Sequence, residues 1–282
     1  MITRALGRGG GGTVPYHCRP VTTLPTALLS FDVEEFDSPN EHGAEWSIDR
    51  QFDEGARGWL RTLELLDALS ASATLFTTAA IATHSPHLLK RSAIRHEIAS
   101  HGFNHSKLEP GDLLASRTTL SALSGQSVVG FRRAKMQPTD AAELLDAGYL
   151  YDSSIHPVWL PGRYNNRGLP RTIHRRSTLI EVPASATPAL RLPLFWLAFK
   201  HYPQSLYRRC VEECLRRDGY VNLYFHPWEF TDLTETALPR YMRTPCGEAL
   251  CDRMSAFVEW LRARAQLSTF SHYLTQQGML AQ

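Results

Sequence analysis

Three short stretches of the 282-residue chain carry side chains able to do acid–base or metal chemistry. Asp32-Val33-Glu34-Glu35 follows the apolar run Ala27-Leu28-Leu29-Ser30-Phe31. In extended geometry Asp32 and Glu34 point the same way, so two carboxylates can share one site. His101-Gly102-Phe103-Asn104-His105 sets two imidazoles four residues apart. On one helical face or in a tight turn such a pair can clamp a single divalent ion. One added carboxylate would give a two-imidazole, one-carboxylate set that leaves positions open for water and substrate. Leu223-Tyr224-Phe225-His226-Pro227-Trp228-Glu229 puts a histidine at the exit of an apolar strand. Each stretch alone also reads as a solvated acidic loop, a pair of surface histidines or a structural histidine; it is their combination in one chain that points to a site.

The elements that must position these groups alternate. Strands are expected at 27–31, 73–77, 96–100, 127–131, 178–182, 220–225 and 267–270, from short apolar runs bounded by polar residues. Helices are expected between them. One has Trp59, Leu63, Leu66 and Leu69 on one face, and another starts at Pro86. A third covers 140–147, opened by Asp140 with Glu143 and stopped at Gly148. The others cover 205–217, closed by Gly219, and 248–264, which reads as the last helix. Alternation of this kind predicts a parallel α/β fold, barrel-like and single-domain, with active-site residues at the strand ends; the long connection 153–177 implies elaborated ends. Residues 1–24, rich in Gly, Pro and Thr, read as a flexible extension, and 25–282 as one catalytic domain.

Composition narrows the function classes. Thirty Lys+Arg against 28 Asp+Glu gives a net charge of +2, too little field to grip a phosphate backbone, so nucleic acid is excluded as the main partner. No run approaches the ~18 apolar residues of a membrane span, and the N-terminus lacks the apolar core of a secretory signal, which predicts a cytoplasmic protein. Five cysteines make no disulfide framework. The pairs Cys210/Cys214 and Cys246/Cys251 lack the two-residue knuckle of structural zinc sites and read as reduced thiols. Leu192–Phe199 reads either as a loop covering the core or as a surface for peripheral contact with the inner face of a membrane. His156 reads as a residue of the cleft or of a solvated loop. Oligomeric state is left open.

Read in order, the clusters resemble the NodB-type polysaccharide deacetylases, metal-dependent carbohydrate esterases and N-deacylases. The stretches that carry the resemblance are Ser30–Glu34, His96–His105, Gly130-Phe131-Arg132, Gly148–Ser154, Ile180-Glu181-Val182-Pro183 and Leu223–Trp228, within residues 27–275. It implies a distorted (β/α) barrel and one divalent metal, zinc foremost, with cobalt, nickel or manganese as alternatives. Residue by residue, it implies Glu34, His101 and His105 as metal ligands, Asp32 as catalytic base paired with Arg132, and His226 as general acid. Leu223 and Trp159 would wall the acyl pocket, and Tyr151, Asp152 and Trp228 would meet substrate. The chain departs from the family in its Asp-x-Glu carboxylates and in Arg133-Ala134, where a small residue and proline are usual. An extra cation at Arg133 would suit an anionic group on the substrate. The implied activity is hydrolysis of a non-peptide carbon–nitrogen bond: removal of an N-acetyl or related small acyl group from an amino sugar, in a glycan or a lipid-linked precursor. Rival readings are an allantoinase-like amidohydrolase acting on a small-molecule amide, and a non-catalytic carbohydrate-binding barrel.

Overall fold

A computed structural model describes residues 24–281; all of the expected N-terminal extension but Leu24 lies outside them. In chain order the strands are β1 (Thr26–Val33), β2 (Thr74–Thr77), β3 (Glu97–Ser100), β4 (Gly130–Phe131), β5 (Tyr151–Asp152), β6 (Trp159–Leu160), β7 (Tyr164–Asn165), β8 (His174–Arg176), β9 (Leu179–Glu181), β10 (Tyr220–Phe225) and β11 (Gln266–Ser268). Nine of them form one sheet in the order β10-β1-β2-β3-β4-β5-β9-β8, with β11 added against the start of β1. All its pairings are parallel except β8 with β9. The sheet curls into the expected distorted α/β barrel, a single domain. The gap between β9 and β10 is bridged by Asn222, whose side-chain amide donates to the carbonyls of Val182 (3.2 Å) and Pro183 (3.1 Å).

Strand alternation sorts side chains onto the two faces of the curled sheet. Ala27, Leu29, Phe31 and Val33 of β1 pack outward beneath the covering helices. Leu28 turns inward with Phe76, Ala99, Tyr151, Ile180 and Phe270 to form a separate core that floors the barrel. Above that floor the inward positions become polar: Ser30, Asp32 and Asn222 are all buried.

The helix Ile48–Ala68 presses most closely on the site, and two glycines allow it. A Cβ at Gly55 would lie 2.4 Å from the Glu34 carbonyl oxygen, and one at Gly58 would lie 2.8 Å from the Pro227 backbone. Ser47 caps this helix, and Thr78 caps the short helix Ala79–His84. The expected helices form at Pro86–Ala93, Ala141–Asp146, Gln204–Asp218 and Gly247–Arg262. The chain does not end on a strand, however: β11 stops at Ser268 and a further helix, Phe270–Gln276, packs Phe270 and Leu274 into the barrel floor. The connection 153–177 contains the β6–β7 hairpin. Among the described residues no helix is long and apolar enough to cross a membrane. Leu194, Phe195, Trp196, Ala198 and Phe199 are buried, so Leu192–Phe199 covers the core and offers no apolar face to a lipid surface. Cys210, Cys214 and Cys251 are buried free thiols and Cys246 a partly buried one; the only acidic, His or Cys cluster of metal-binding geometry among the described residues lies elsewhere.

Candidate active site

Four parallel strands deliver the reactive groups to one cleft from their C-terminal ends. Asp32 and Glu34 come from the end of β1, His101 and His105 from the turn after β3, Arg132 from just after β4 and His226 from just after β10. No helix forms at 101–105, so the two imidazoles converge through a tight turn. Asp32, Glu34, His101, His105, Tyr224, His226 and Trp228 all line the cleft.

Glu34, His101 and His105 are buried and hold their ligand-type atoms within 4.8 Å of one another. His101 Nδ1 donates to the Arg132 carbonyl (2.9 Å) and His105 Nδ1 to the Asp37 carboxylate (2.8 Å). Those partners can only accept, so both imidazoles turn an Nε2 lone pair inward when neutral. The inward atoms stand 3.3 and 3.2 Å from Glu34 Oε2, a buried oxygen with no hydrogen-bond donor. Two lone pairs and a carboxylate facing one point make a place for a cation. The outer hydrogen bonds are of the kind that fix imidazole ligands in metal sites. The three groups also act on one another electrostatically. Burial pushes the Glu34 carboxyl up, but His105, His101 and His226 outweigh it and hold it at about 2. Burial pushes the His105 imidazole down, but Glu34 and Asp37, with Glu35, raise it to about 9.

Asp32 is held from one side. Arg132 Nη1 donates to Asp32 Oδ1 (2.6 Å) and to Ser30 Oγ (2.9 Å), while Arg132 Nε and Nη2 donate to the Ser153 carbonyl and hydroxyl. The guanidinium is fully buried and lies 3.9 Å from the centre of the Phe76 ring. Glu35 turns away from the cleft: its carboxylate accepts from Thr78 Oγ1 (2.7 Å) and from the His105 backbone N–H (2.6 Å). Trp228 Nε1 donates to Glu34 Oε1 (3.1 Å), leaving Oε2 to the histidines.

His226 stacks on Trp228 with ring centres 4.9 Å apart and meets Trp196 edge-on. Glu229 Oε1 accepts from the His226 backbone (2.8 Å) and stands 3.2 Å from His226 Nδ1. Burial alone would lower the His226 imidazole, yet the Glu229 hydrogen bond and the Glu34 and Asp32 carboxylates raise it above its ordinary value. An imidazole so placed is favoured in its protonated form, and it lines the cleft.

Several expected substrate residues lie elsewhere. Leu223 faces outward under the helices, because alternation along β10 turns Asn222, Tyr224 and His226 inward; Tyr224 stands in the cleft in its place. Trp159 is 52% exposed. It faces Asn165 across the hairpin while Leu160 faces Tyr164, and it is the latter pair that lines the cleft. Tyr151 belongs to the barrel floor and donates to Glu97 (2.8 Å). Asp152 alternates to the outer face, where it and Glu181 share Arg176 at 3.0 Å each. Arg133 does not reach the cleft; the wall carries Lys135, paired with Glu41, and Arg163. His156 is neither solvated nor part of the lining. It is buried behind the cleft with Nδ1 3.0 Å from the Tyr164 hydroxyl, and burial, with Arg132 and Arg163, lowers its imidazole to about 3. Sequence reasoning missed Asp37, Trp196, Lys200, Tyr224 and Glu229. The i, i+3 spacing of His226 and Glu229 was a signal for the last.

Comparisons with known proteins agree with this geometry. A family model described as polysaccharide deacetylase matches residues 45–142, and one described as a domain of unknown function (DUF3473) matches 153–276. No curated protein matches the chain in sequence. Among solved structures, a proposed polysaccharide deacetylase from Pseudomonas aeruginosa PAO1 superposes with a TM-score of 0.59 at 14% identity, covering 91% of this chain and 92% of that one. PuuE allantoinase gives 0.56 at 16% identity, covering 92% and 91%. A proposed polysaccharide deacetylase from Mycobacterium smegmatis gives 0.55 at 20% identity, covering 89% and 95%. At these identities the structures speak for the fold. The polysaccharide deacetylase model matches β2 to β4 and the helices around them, residues 45–142, and the solved structures share the fold of the whole.

Proposed function

We propose that this protein is a NodB-type polysaccharide deacetylase, a metal-dependent hydrolase that removes an N-acetyl or related small acyl group from an amino sugar in a glycan or lipid-linked precursor. The observation that carries the reading is the convergence of two inward imidazole lone pairs on the donor-less Glu34 Oε2, in the same cleft as Asp32 and His226. Glu34, His101 and His105 fit one divalent ion, and their nitrogen and oxygen donors suit zinc. Such an ion supplies polarisation of the acyl carbonyl and a lower pKa for water.

The chain's own groups would divide the rest. Asp32, held in place by Arg132, takes a proton from the attacking water. Arg132 has no freedom to swing, since four side-chain hydrogen bonds and the Phe76 face hold it. His226, favoured in its protonated form by Glu229, gives a proton to the departing amine nitrogen. The Trp196 and Trp228 rings and Tyr164 give the flat apolar faces against which the C–H side of a sugar ring can lie.

The test is release of acetate from N-acetylated amino-sugar oligomers by the purified protein, with metal measured on the same sample. Turnover that disappears on chelation and returns with zinc supports the reading. Turnover of ureides or other small amides, with none of acetylated sugars, would replace it by the amidohydrolase reading. Sugar binding without turnover would leave a carbohydrate-binding barrel.

A further inference from the structure

Lys200 is a buried cation that no motif assigns. Its side chain is fully enclosed on the helix Trp196–His201. The ammonium donates to the Met242 carbonyl (2.6 Å), stands 3.2 Å from Glu229 Oε2 and lies 5.3 and 5.9 Å from the Trp196 and Trp228 ring centres. Burying a lysine is costly unless a charge compensates it, and here that charge is Glu229. Glu229 is itself fully buried, and its two oxygens are divided. Oε1 takes the His226 backbone N–H and faces Nδ1, whereas Oε2 has no hydrogen-bond donor and only Lys200 beside it. The aligned row is therefore Lys200, Glu229, His226, the cleft.

We propose that Lys200 is a positioning residue that sets the protonation of His226 through Glu229, holding the imidazole's proton loose enough to be given up. A carboxylate with one cationic partner binds that partner's proton more strongly than a carboxylate shared between two. Among the charged or titratable groups around His226 are Asp32 and Glu34 from the end of β1 and Tyr224 on its own strand, with His101, His105, Lys135 and Arg163 in the same cleft lining. The two carboxylates hold the proton on. Lys200 is the opposing charge in this row, acting one residue removed. Burial pushes the Glu229 carboxyl up, while Lys200 and His226 together hold it below its ordinary value, in line with a carboxylate shared between two cations.

The inference rests on His226 being the general acid, and the experiment separates the two claims. In the metal-loaded protein, His226 is titrated by NMR, assigned against His226→Gln, alongside the pH profile of turnover. Lys200→Met should raise the His226 pKa by about one to two units and move the alkaline limb of the profile up equally. If Lys200→Met fails to fold because Glu229 is left buried and unpaired, Lys200→Gln, which keeps a donor beside Glu229 and removes the charge, replaces it. His226 should again titrate higher than in the wild type. An unmoved His226 in either comparison, with only a drop in melting temperature, would reduce Lys200 to a structural ion pair and overturn the inference. Wild-type protein without deacetylase activity would overturn the function proposed above, and the NMR comparison would still decide this one.

Discussion

At the scale of single residues, the donor-less Glu34 oxygen leads to predictions that need no substrate. Elemental analysis should find near one equivalent of zinc or a similar ion in the wild type, and none in the His101→Ala/His105→Ala double variant; full retention would remove the assignment. Glu34→Ala should cost metal affinity far more than Glu35→Ala, because Glu35 is spent on Thr78 and the His105 backbone. Equal losses would mean that the loop, and not the ligand, holds the ion. Asp32→Asn keeps the size of the side chain and loses the base. Turnover should fall by about two to four powers of ten with the metal still bound, and a near wild-type rate would move the base elsewhere. Much of this was open to view in the sequence, since Asp32, Glu34, His101, His105, Arg132 and His226 are adjacent in space as their motif order implied. The apolar wall was not. Leu223 and Tyr224 differ by one position, and only the direction of the pleat says which of them enters the cleft.

At the scale of elements, the site depends on how closely one helix lies against two loops. Ile48–Ala68 runs past the Glu34 carbonyl at Gly55 and past the Pro227-Trp228 backbone at Gly58. Alanine favours a helix by roughly 0.5–1 kcal/mol over glycine, but here each Cβ would meet backbone that cannot yield. Gly55→Ala and Gly58→Ala should therefore destabilise the fold by about 1–3 kcal/mol and weaken metal binding at Gly55 in particular. Thermal unfolding and zinc titration measure the two effects, and a stabilised Gly55→Ala would contradict the close packing. Neither glycine stood out in the sequence, because a glycine in an amphipathic helix shows no pattern until its neighbour is known. The same limit hid the shortest strands. β1 and β10 are long enough to show apolar runs, whereas β4, β5, β6 and β7 have two residues each and exist only through their partners. Phe270 looked like the end of a strand because it is apolar; it opens a helix and is buried from that side.

At the scale of the whole molecule, buried titratable groups outside the cleft set the pH range of stability. His156 and His96 are held mainly by burial at about 3 and about 4. A depressed imidazole binds fewer protons in the folded chain than in the unfolded one, so stability is lost as pH falls from about 6.5 towards those values. For His156 the full loss is on the order of 5 kcal/mol. On the other side, burial and the neighbouring Asp152 raise the Glu181 carboxyl to about 9 against the pull of Arg176. Its contribution is present below about 4.5 and is lost as pH rises through 9. Melting temperatures across pH should fall on both sides of neutrality, and Glu181→Gln should flatten the alkaline side; an unchanged alkaline slope would mean that Asp152 and Glu181 do not share a proton. The topology also fixes an order of assembly during synthesis. Glu34, His101 and His105 lie within the first 105 residues, but β1 pairs with β10, Leu29 opposite Leu223, almost two hundred residues later. The ribosome thus makes every cation-facing group long before the acid, and the half-finished barrel exposes the edge of β1 until the last strands arrive. Contacts this distant in sequence form slowly. The proposed ligands are complete in the chain early, but the proposed acid, His226, joins them only when β10 closes on β1.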